Sequence, residues 1–189
     1  MRIITGSAKG KRLATLEGDA TRPTSERIKG AIFSSIQFEL ENRRVLDLFA
    51  GSGQMGLEAL SRGAESVTFI DSSREAMEIV KRNADSCGFF GMSRFLVSDY
   101  RNYMRKARGR DRYDLVFIDP PYSMAACGEA ARLLVKEELI IPGAIVVLES
   151  GDEEIDTESL EKWGYEVIKS ERYGKKTAVN ILLYRGERE

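Results

Sequence analysis

Two acids and three glycines stand at spacings that could hold a nucleoside with a charged appendage. The stretch Asp47-Leu-Phe-Ala-Gly51-Ser-Gly53-Gln-Met-Gly56 follows a short apolar run, and Asp71 lies 20 residues after Gly51. Gly51 and Gly53 allow a tight turn and close approach of the backbone to a ligand, since neither carries a Cβ. Gly56 lets the next helix pack closely, and that helix's first N–H groups are left to face a polar ligand. A carboxylate at position 71 can accept hydrogen bonds from two ribose hydroxyls. Gly51-x-Gly53-x-x-Gly56 also satisfies the dinucleotide fingerprint. The glycines alone therefore leave nicotinamide and S-adenosylmethionine cofactors open. Asp47 favours the second, because an acid beside the turn suits a cationic amino-acid moiety and a sulfonium, and suits a pyrophosphate poorly.

A second constellation is Asp119-Pro120-Pro121-Tyr122. Two prolines remove two N–H donors and fix φ near −65°, and each pushes the preceding residue to extended geometry. The expected result is a rigid loop with outward carbonyls, a carboxylate at Asp119 and a ring at Tyr122. Such a loop fits a planar base bearing an exocyclic NH₂. The amine would donate to Asp119 and to the Pro120 carbonyl, and the base would stack on Tyr122, worth about 1–3 kcal/mol. An exocyclic amine is a poor nucleophile because its lone pair is delocalised into the base. Two acceptors on its protons favour a pyramidal nitrogen and aim the lone pair at an incoming methyl. Positioning and electrostatics carry such a rate without a covalent intermediate. The base must be unpaired or flipped out of its stack to enter.

Other chemistries are excluded by composition. The chain has no histidine, which removes histidine bases, Ser-His-Asp triads and His-ligated zinc. Cys87 and Cys127 form neither a paired metal motif nor a disulfide framework. No metal site is expected.

The elements that must position these turns follow from periodicity. Residues 1–20 read as a hairpin, with Arg2–Thr5 and Arg12–Leu16 about a glycine-bounded turn. Thr24 or Ser25 can cap a helix whose apolar positions Ile28, Ile32, Ile36 and Leu40 recur every four residues. From Arg44 onward, strands (45–49, 67–70, 94–97, 113–118, 144–148) alternate with helices (55–62, 73–86, about 100–108, 125–136). A closing antiparallel pair is expected at 165–169 and 178–184. The fold class is α/β, a mostly parallel sheet with helices on both faces. Ligands on such sheets sit beyond the carboxyl ends of the strands. The expected division is an N-terminal hairpin and helix extension, 1–41, and a catalytic domain, 42–189.

Net charge is near zero, with 29 basic and 30 acidic side chains, but the signs are segregated. Residues 1–30 carry Arg2, Lys9, Lys11, Arg12, Arg22, Arg27 and Lys29 against three acids, and residues 101–112 carry six basic groups against Asp111. Local basic blocks permit a polyanion partner. Tyr100 and Tyr103 stand beside the second block, where they could touch RNA. The acidic run 152–161 reads as solvated surface, and Trp163, Tyr165 and Tyr184 as packing. No apolar run approaches the ~20 residues of a membrane span. With no leader-like block at the start, a soluble cytoplasmic protein is expected.

Together the two turns resemble a class I S-adenosylmethionine-dependent methyltransferase acting on an exocyclic amine. Arg2-Ile-Ile-Thr-Gly6, Gly10-Lys-Arg-Leu13, Arg22-Pro-Thr24 with Arg27 and Phe33, Leu46–Gly53 and Gly56–Gly63 narrow this. They resemble the bacterial 16S rRNA guanine-N2 methyltransferase family (RsmD type), from residue 2 to about 184, including Tyr173-Gly174. The resemblance implies a Rossmann-like, seven-stranded sheet and methylation of the N2 amine of one guanine in 16S rRNA. The partner would be the 30S subunit or an assembly intermediate, met by a monomer. It implies that Asp47 and Phe49, Ala50, Gly51, Ser52 and Gly53 line the methionine part of the cofactor. Asp71 and Ser72 would meet its ribose, and Asp99 and Tyr100 its adenine. Asp119, Pro120 and Tyr122 would hold the guanine. Lys9, Lys11, Arg12, Arg22, Thr24 and Arg27 would lie near the RNA. Asp99 read alone is as well explained as a helix N-cap. Thr5 stands where the family usually has glycine, and Gln54-Met55 are bulkier than its usual small pair.

Three other readings compete. A DNA or RNA adenine-N6 methyltransferase uses the same turn chemistry, but the DNA enzymes usually carry an added recognition domain for which 189 residues leave no room. A nicotinamide-dependent oxidoreductase leaves the proline turn unexplained and lacks an evident proton donor. A non-catalytic RNA-binding module would not need intact acceptors and glycines.

Overall fold

The computed structural model describes residues 1–15, 26–121, 124–151, 153–174 and 177–186. The chain forms two compact units, Met1–Asp99 and Tyr100–Glu189. Each has its own parallel strands with helices packed beside them.

The first unit opens with an arm, residues 1–15. Among the described residues the expected hairpin shows one antiparallel bridge, Arg2 to Arg12, and its part from Leu16 to residue 20 lies outside them. Ile3 donates to the Lys11 carbonyl and Gly10 to the Ile3 carbonyl, both at 2.9 Å. Ladder pairing stops early because the next N–H groups, of Ile4 and Thr5, go to the Glu58 carboxylate at 2.8 and 3.0 Å. Ile3, Ala8 and Leu13 are buried beneath the arm. Helix α1 spans Glu26–Ser35. The four-residue period continues to Ile36 and Leu40, which are buried although the helix has ended. The period there reports burial rather than helix. The proposed caps Thr24 and Ser25 lie outside the described residues.

Strands β1 (Arg44–Asp47), β2 (Ser66–Asp71) and β3 (Ser93–Val97) run parallel in the order β3-β2-β1. Val45 pairs with Val67 and Phe69 with Phe95. Helix α2 (Gln54–Ser61) joins β1 to β2 and is buried on every face. Helix α3 (Arg74–Cys87) joins β2 to β3. Ser73 caps α3 by accepting the Ala76 N–H at 3.1 Å, and Gly88 ends it in the left-handed region.

The second unit begins with α4 (Tyr100–Ala107) and β4 (Tyr113–Ile118), whose six residues are all buried. A strand buried along its whole length, apolar at every position but Asp114, belongs inside a sheet covered on both faces. Helix α5 (Cys127–Lys136), β5 (Ile140–Ser150), α6 (Thr157–Lys162), β6 (Tyr165–Tyr173) and β7 (Thr177–Tyr184) follow. The strand order is β4-β5-β7-β6. β4 and β5 are parallel, and β7 runs antiparallel to both β5 and β6. The seven strands and flanking helices make the mostly parallel, Rossmann-like class expected. β5 starts four residues earlier than the apolar run 144–148, because Ile140 pairs with Tyr113 before the register shifts.

Three expectations about side chains change. Lys29 was grouped with the exposed basic block, yet it is fully buried. Tyr100 and Tyr103 are not base platforms. Both are buried, Tyr100 donating to Glu129 at 2.9 Å and Tyr103 bonding Tyr113 and Asp111. The acidic run is not merely solvated. It contains α6, N-capped by Asp156, and Glu153, which accepts the N–H groups of Cys127 and Gly128 at 3.0 Å each and so caps α5. Tyr165 and Tyr184 pack as expected, and the Tyr165 hydroxyl donates to the Ala131 carbonyl. No helix among the described residues is long and apolar enough to cross a membrane.

Candidate active site

The carboxyl ends of β1, β2 and β3 bring Asp47, Asp71 and Asp99 to one rim of the first unit, with the glycine turn beside them. Gly51 and Gly53 have φ of +54° and +78°, in the region where a side chain is strained. A Cβ on Gly51 would meet nothing within 4 Å, so its outward side is open. A Cβ on Gly56 would come within 2.4 Å of the Phe69 ring, so this glycine serves helix-on-strand packing, as expected.

Two of the acids, Asp47 and Asp71, have structural work. Asp47 is buried and its Oδ2 accepts the Gly56 N–H at 3.0 Å, pinning the start of α2. Asp71 accepts the Gly51 N–H at 2.9 Å on Oδ2 and the Ser73 N–H at 2.8 Å on Oδ1. It is half-buried, and a carboxylate with two oxygens keeps further acceptor directions for a diol. Ser72 and Asp99 are exposed, Phe49 and Ser52 half-buried, and Ala50 and Tyr100 buried. Gly53 is the N-cap of α2 with no side-chain cap, which leaves N–H groups at the helix start. An open glycine, a helix start that Asp47 pins at the Gly56 N–H, and a ribose-competent acid fit a nucleoside cofactor with an amino-acid tail.

In the second unit β4 ends at Ile118 and runs into Asp119, which is half-buried, then Pro120, buried, and Pro121, exposed. The Pro121 carbonyl accepts the Met124 N–H at 2.8 Å. Ala125 takes a φ of +45° just beyond. Tyr122 lies outside the described residues.

The profile of the conserved hypothetical protein 95 family matches residues 1–182. The chain belongs to that family, the RsmD type of class I methyltransferase. It is 34% identical over 157 residues to YlbH of Bacillus subtilis, covering 82% of this chain and 85% of that one. It is 30% identical over 150 residues to ribosomal RNA small subunit methyltransferase D of Escherichia coli, covering 79% and 74%. Among solved structures, yhhF from Escherichia coli superposes with a TM-score of 0.84 at 26% identity over 99% of both chains.

Within this RsmD-type chain the basic residues sort by environment. Lys9, Lys11, Arg12 and Arg27 are exposed, and none forms an ion pair among the described residues. Arg22 and Thr24 lie outside the described residues. Lys9 and Arg27 border a cleft of about 480 Å³ that Arg2, Ile3, Gly10 and Gly30 also line. In the block 101–112, Arg101 pairs with Glu129, and Arg108 and Arg112 both pair with Glu138. Their guanidinium groups hold both carboxyls below the usual range. Such exposed pairs are weak and leave the cations accessible.

Two organising residues escaped the sequence reading. Glu58 and Asn83 are 0% and 3% exposed. For Asn83 the signal was present, a polar residue on a helix face that is otherwise apolar, whereas Glu58 has Gln54, Ser61 and Arg62 at helical spacing and reads as one more polar position. Among the described residues no group of three or more His, Cys, Asp or Glu could hold a metal ion.

Proposed function

We propose that this protein transfers a methyl group from S-adenosylmethionine to the N2 amine of a guanine in 16S rRNA, within the small subunit or an assembly intermediate. The observation that carries the reading is the turn after β1. It offers an open glycine at positive φ, braced by the carboxylate that a ribose would share. Family membership supports the methyl chemistry, and the likeness to the ribosomal RNA small subunit methyltransferase D of Escherichia coli supports rRNA as the substrate class.

The cofactor supplies an electrophilic methyl on a sulfonium. The chain supplies the positions. Asp71 receives the ribose hydroxyls, and the α2 N-terminus with Phe49 to Gly53 receives the amino-acid tail. Asp119 accepts one proton of the guanine amine in a hydrogen bond, and the Pro120 carbonyl accepts the other, with Tyr122 as the stacking ring. Transfer would exchange the carbon–sulfur bond for a carbon–nitrogen bond, and the amine would give up one proton to water. No histidine is needed, since geometry rather than a strong base limits the step. The extension 1–41 contacts RNA through Lys9, Lys11, Arg12 and Arg27, with Arg22 and Thr24.

Tritiated methyl transfer from S-adenosylmethionine tests this. Unmethylated 30S subunits, naked 16S rRNA and duplex DNA are the three acceptors, with the product nucleoside identified by mass spectrometry. N2-methylguanosine from 16S rRNA is expected. N6-methyladenine would give the site to the other amine, and calorimetric binding of NAD with none of S-adenosylmethionine would end the reading.

A further inference from the structure

Asn83 stands on the buried face of α3 with Ala76, Met77, Val80 and Ala84. A carboxamide there is costly unless its polar atoms are satisfied. Its Oδ1 accepts the Ala14 N–H at 2.8 Å, and its Nδ2 donates to the Ala14 carbonyl at 3.0 Å and to the Ser52 carbonyl at 2.9 Å. The partners fix the amide's orientation, because the opposite flip would set its oxygen against two carbonyls. One side chain thus holds both backbone groups of an arm residue and the middle residue of the glycine turn. Val80, one helical turn earlier, backs the same loop: a Cβ on Gly53 would sit 3.0 Å from its Cγ1.

The chemistry of the choice is specific. An apolar residue would fill the space without linking anything. Aspartate could accept from Ala14 but could not donate to either carbonyl. Only a carboxamide offers one acceptor and two donors without charge. Ser52 follows Gly51, whose open side would face the cofactor, and Ala14 lies two residues beyond Arg12, an exposed cation of the arm. A shift of the Ser52 carbonyl is therefore felt at the arm through a single rigid group.

We propose that Asn83 is a positioning residue that couples the N-terminal arm to the glycine turn, so that cofactor binding seats the arm and RNA on the arm tightens the cofactor. This rests on the reading of the turn as the cofactor site. Linkage makes the effect reciprocal, and couplings of this kind are commonly ~5–150-fold in affinity.

The test is hydrogen exchange at the Ala14 amide of the full chain, with and without saturating S-adenosylhomocysteine, beside calorimetry of that ligand. In the wild-type protein the ligand should slow Ala14 exchange at least about fivefold, the lower end of such couplings. Asn83→Asp keeps shape and the acceptor for Ala14 and removes both donors. It should weaken S-adenosylhomocysteine by roughly tenfold, the loss of about one buried hydrogen bond. It should also abolish the ligand-dependent slowing. A residue that only supports the fold would lower the melting temperature of the variant and leave the slowing in place, which would overturn the proposal. Wild-type binding without any slowing at Ala14 would overturn it too. Absence of wild-type binding would fell the cofactor reading and this inference together. The wild-type comparison decides the matter even if the variant fails to fold.

Discussion

Glu58→Gln should cost this protein about 4 kcal/mol, and the structure shows where the loss arises. The Glu58 carboxylate is fully buried and has four partners: the N–H groups of Ile4 and Thr5, Arg62 Nε at 2.9 Å and Lys29 Nζ at 3.2 Å. Lys29 is itself fully buried and also donates to the Arg2 carbonyl at 2.6 Å. The glutamine keeps one acceptor oxygen and turns an NH₂ toward the other backbone donor. An unsatisfied buried N–H costs about 1–3 kcal/mol. Removing one partner of a buried ion pair costs about 3–5 kcal/mol. The two losses overlap, because both fall on the same carboxylate, and about 4 kcal/mol is the combined expectation.

For a chain of this length each kcal/mol moves the melting temperature by roughly 2–4 °C, so the variant should melt about 8–16 °C lower. Thermal unfolding by circular dichroism at neutral pH, backed by urea titration, reads this. Lys29→Met removes the buried ammonium and should also destabilise. The double variant should be less destabilised than the sum of the singles by about 2 kcal/mol, since neither charge is then stranded. A Glu58→Gln protein melting within about 2 °C of wild type, or a strictly additive double variant, would refute the reasoning.

Asp119→Ala should abolish methyl transfer while S-adenosylhomocysteine affinity stays within a few-fold; loss of ligand binding by calorimetry would mean Asp119 has been given the wrong role. Reversing Lys9, Lys11 and Arg12 to glutamate should weaken RNA binding and lower the salt slope by roughly 2–3, the share of three phosphate contacts; an unchanged slope would remove the arm from the RNA interface. Gly6 has a φ of +92°, and a Cβ there would lie 1.7 Å from the Ser61 carbonyl oxygen. Gly6→Ala should therefore unseat the arm, and trypsin should cut after Lys9, Lys11 and Arg12 faster than in wild type. Burial lowers the pKa of Lys29 despite the opposing pull of Glu58. The unfolded chain therefore binds more protons in the window between the lowered folded value and 10.5, and stability contributed by this group rises with pH there and is lost on the acid side. Melting curves taken at rising pH toward 10.5 should show this increment in wild type and not in Lys29→Met.

The alternation of strands and helices was legible because each element carries its own local signal. The run Tyr113–Ile118 matches β4 at both ends, since four successive apolar residues, Leu115–Ile118, run into Asp-Pro and only Asp114 breaks the apolar character behind them. What stayed hidden depends on distant partners. Glu153 caps α5 from 25 residues away, and nothing in 152–161 distinguishes that acid from its neighbours. The burial of Tyr100 and Tyr103 was within reach: with Met104 and Ala107 they fall at the 3–4-residue spacing of an apolar stripe, although basic residues surround them. The glycine turn was read from type and spacing, but the work of Asp71 in holding the Gly51 N–H needed coordinates.

The places where the pattern broke carry the most information. Lys29 shares an apolar stripe with Ile32 and Phe33, Glu58 lies in a helix buried on every face, and Asn83 follows Val80 on the inner face of α3. Each violates the rule that polar groups avoid the core, and each costs stability unless fully paired. Their partners have one thing in common. Lys29 holds the Arg2 carbonyl, Glu58 holds Ile4 and Thr5, and Asn83 holds Ala14. All three fasten the basic arm to helices α1, α2 and α3, two of which frame the glycine turn. A hydrophobic seam would hold such an arm as firmly in many registers. Buried hydrogen bonds to named backbone atoms hold it in one, as the proposed role of Lys9, Lys11 and Arg12 at the RNA would require.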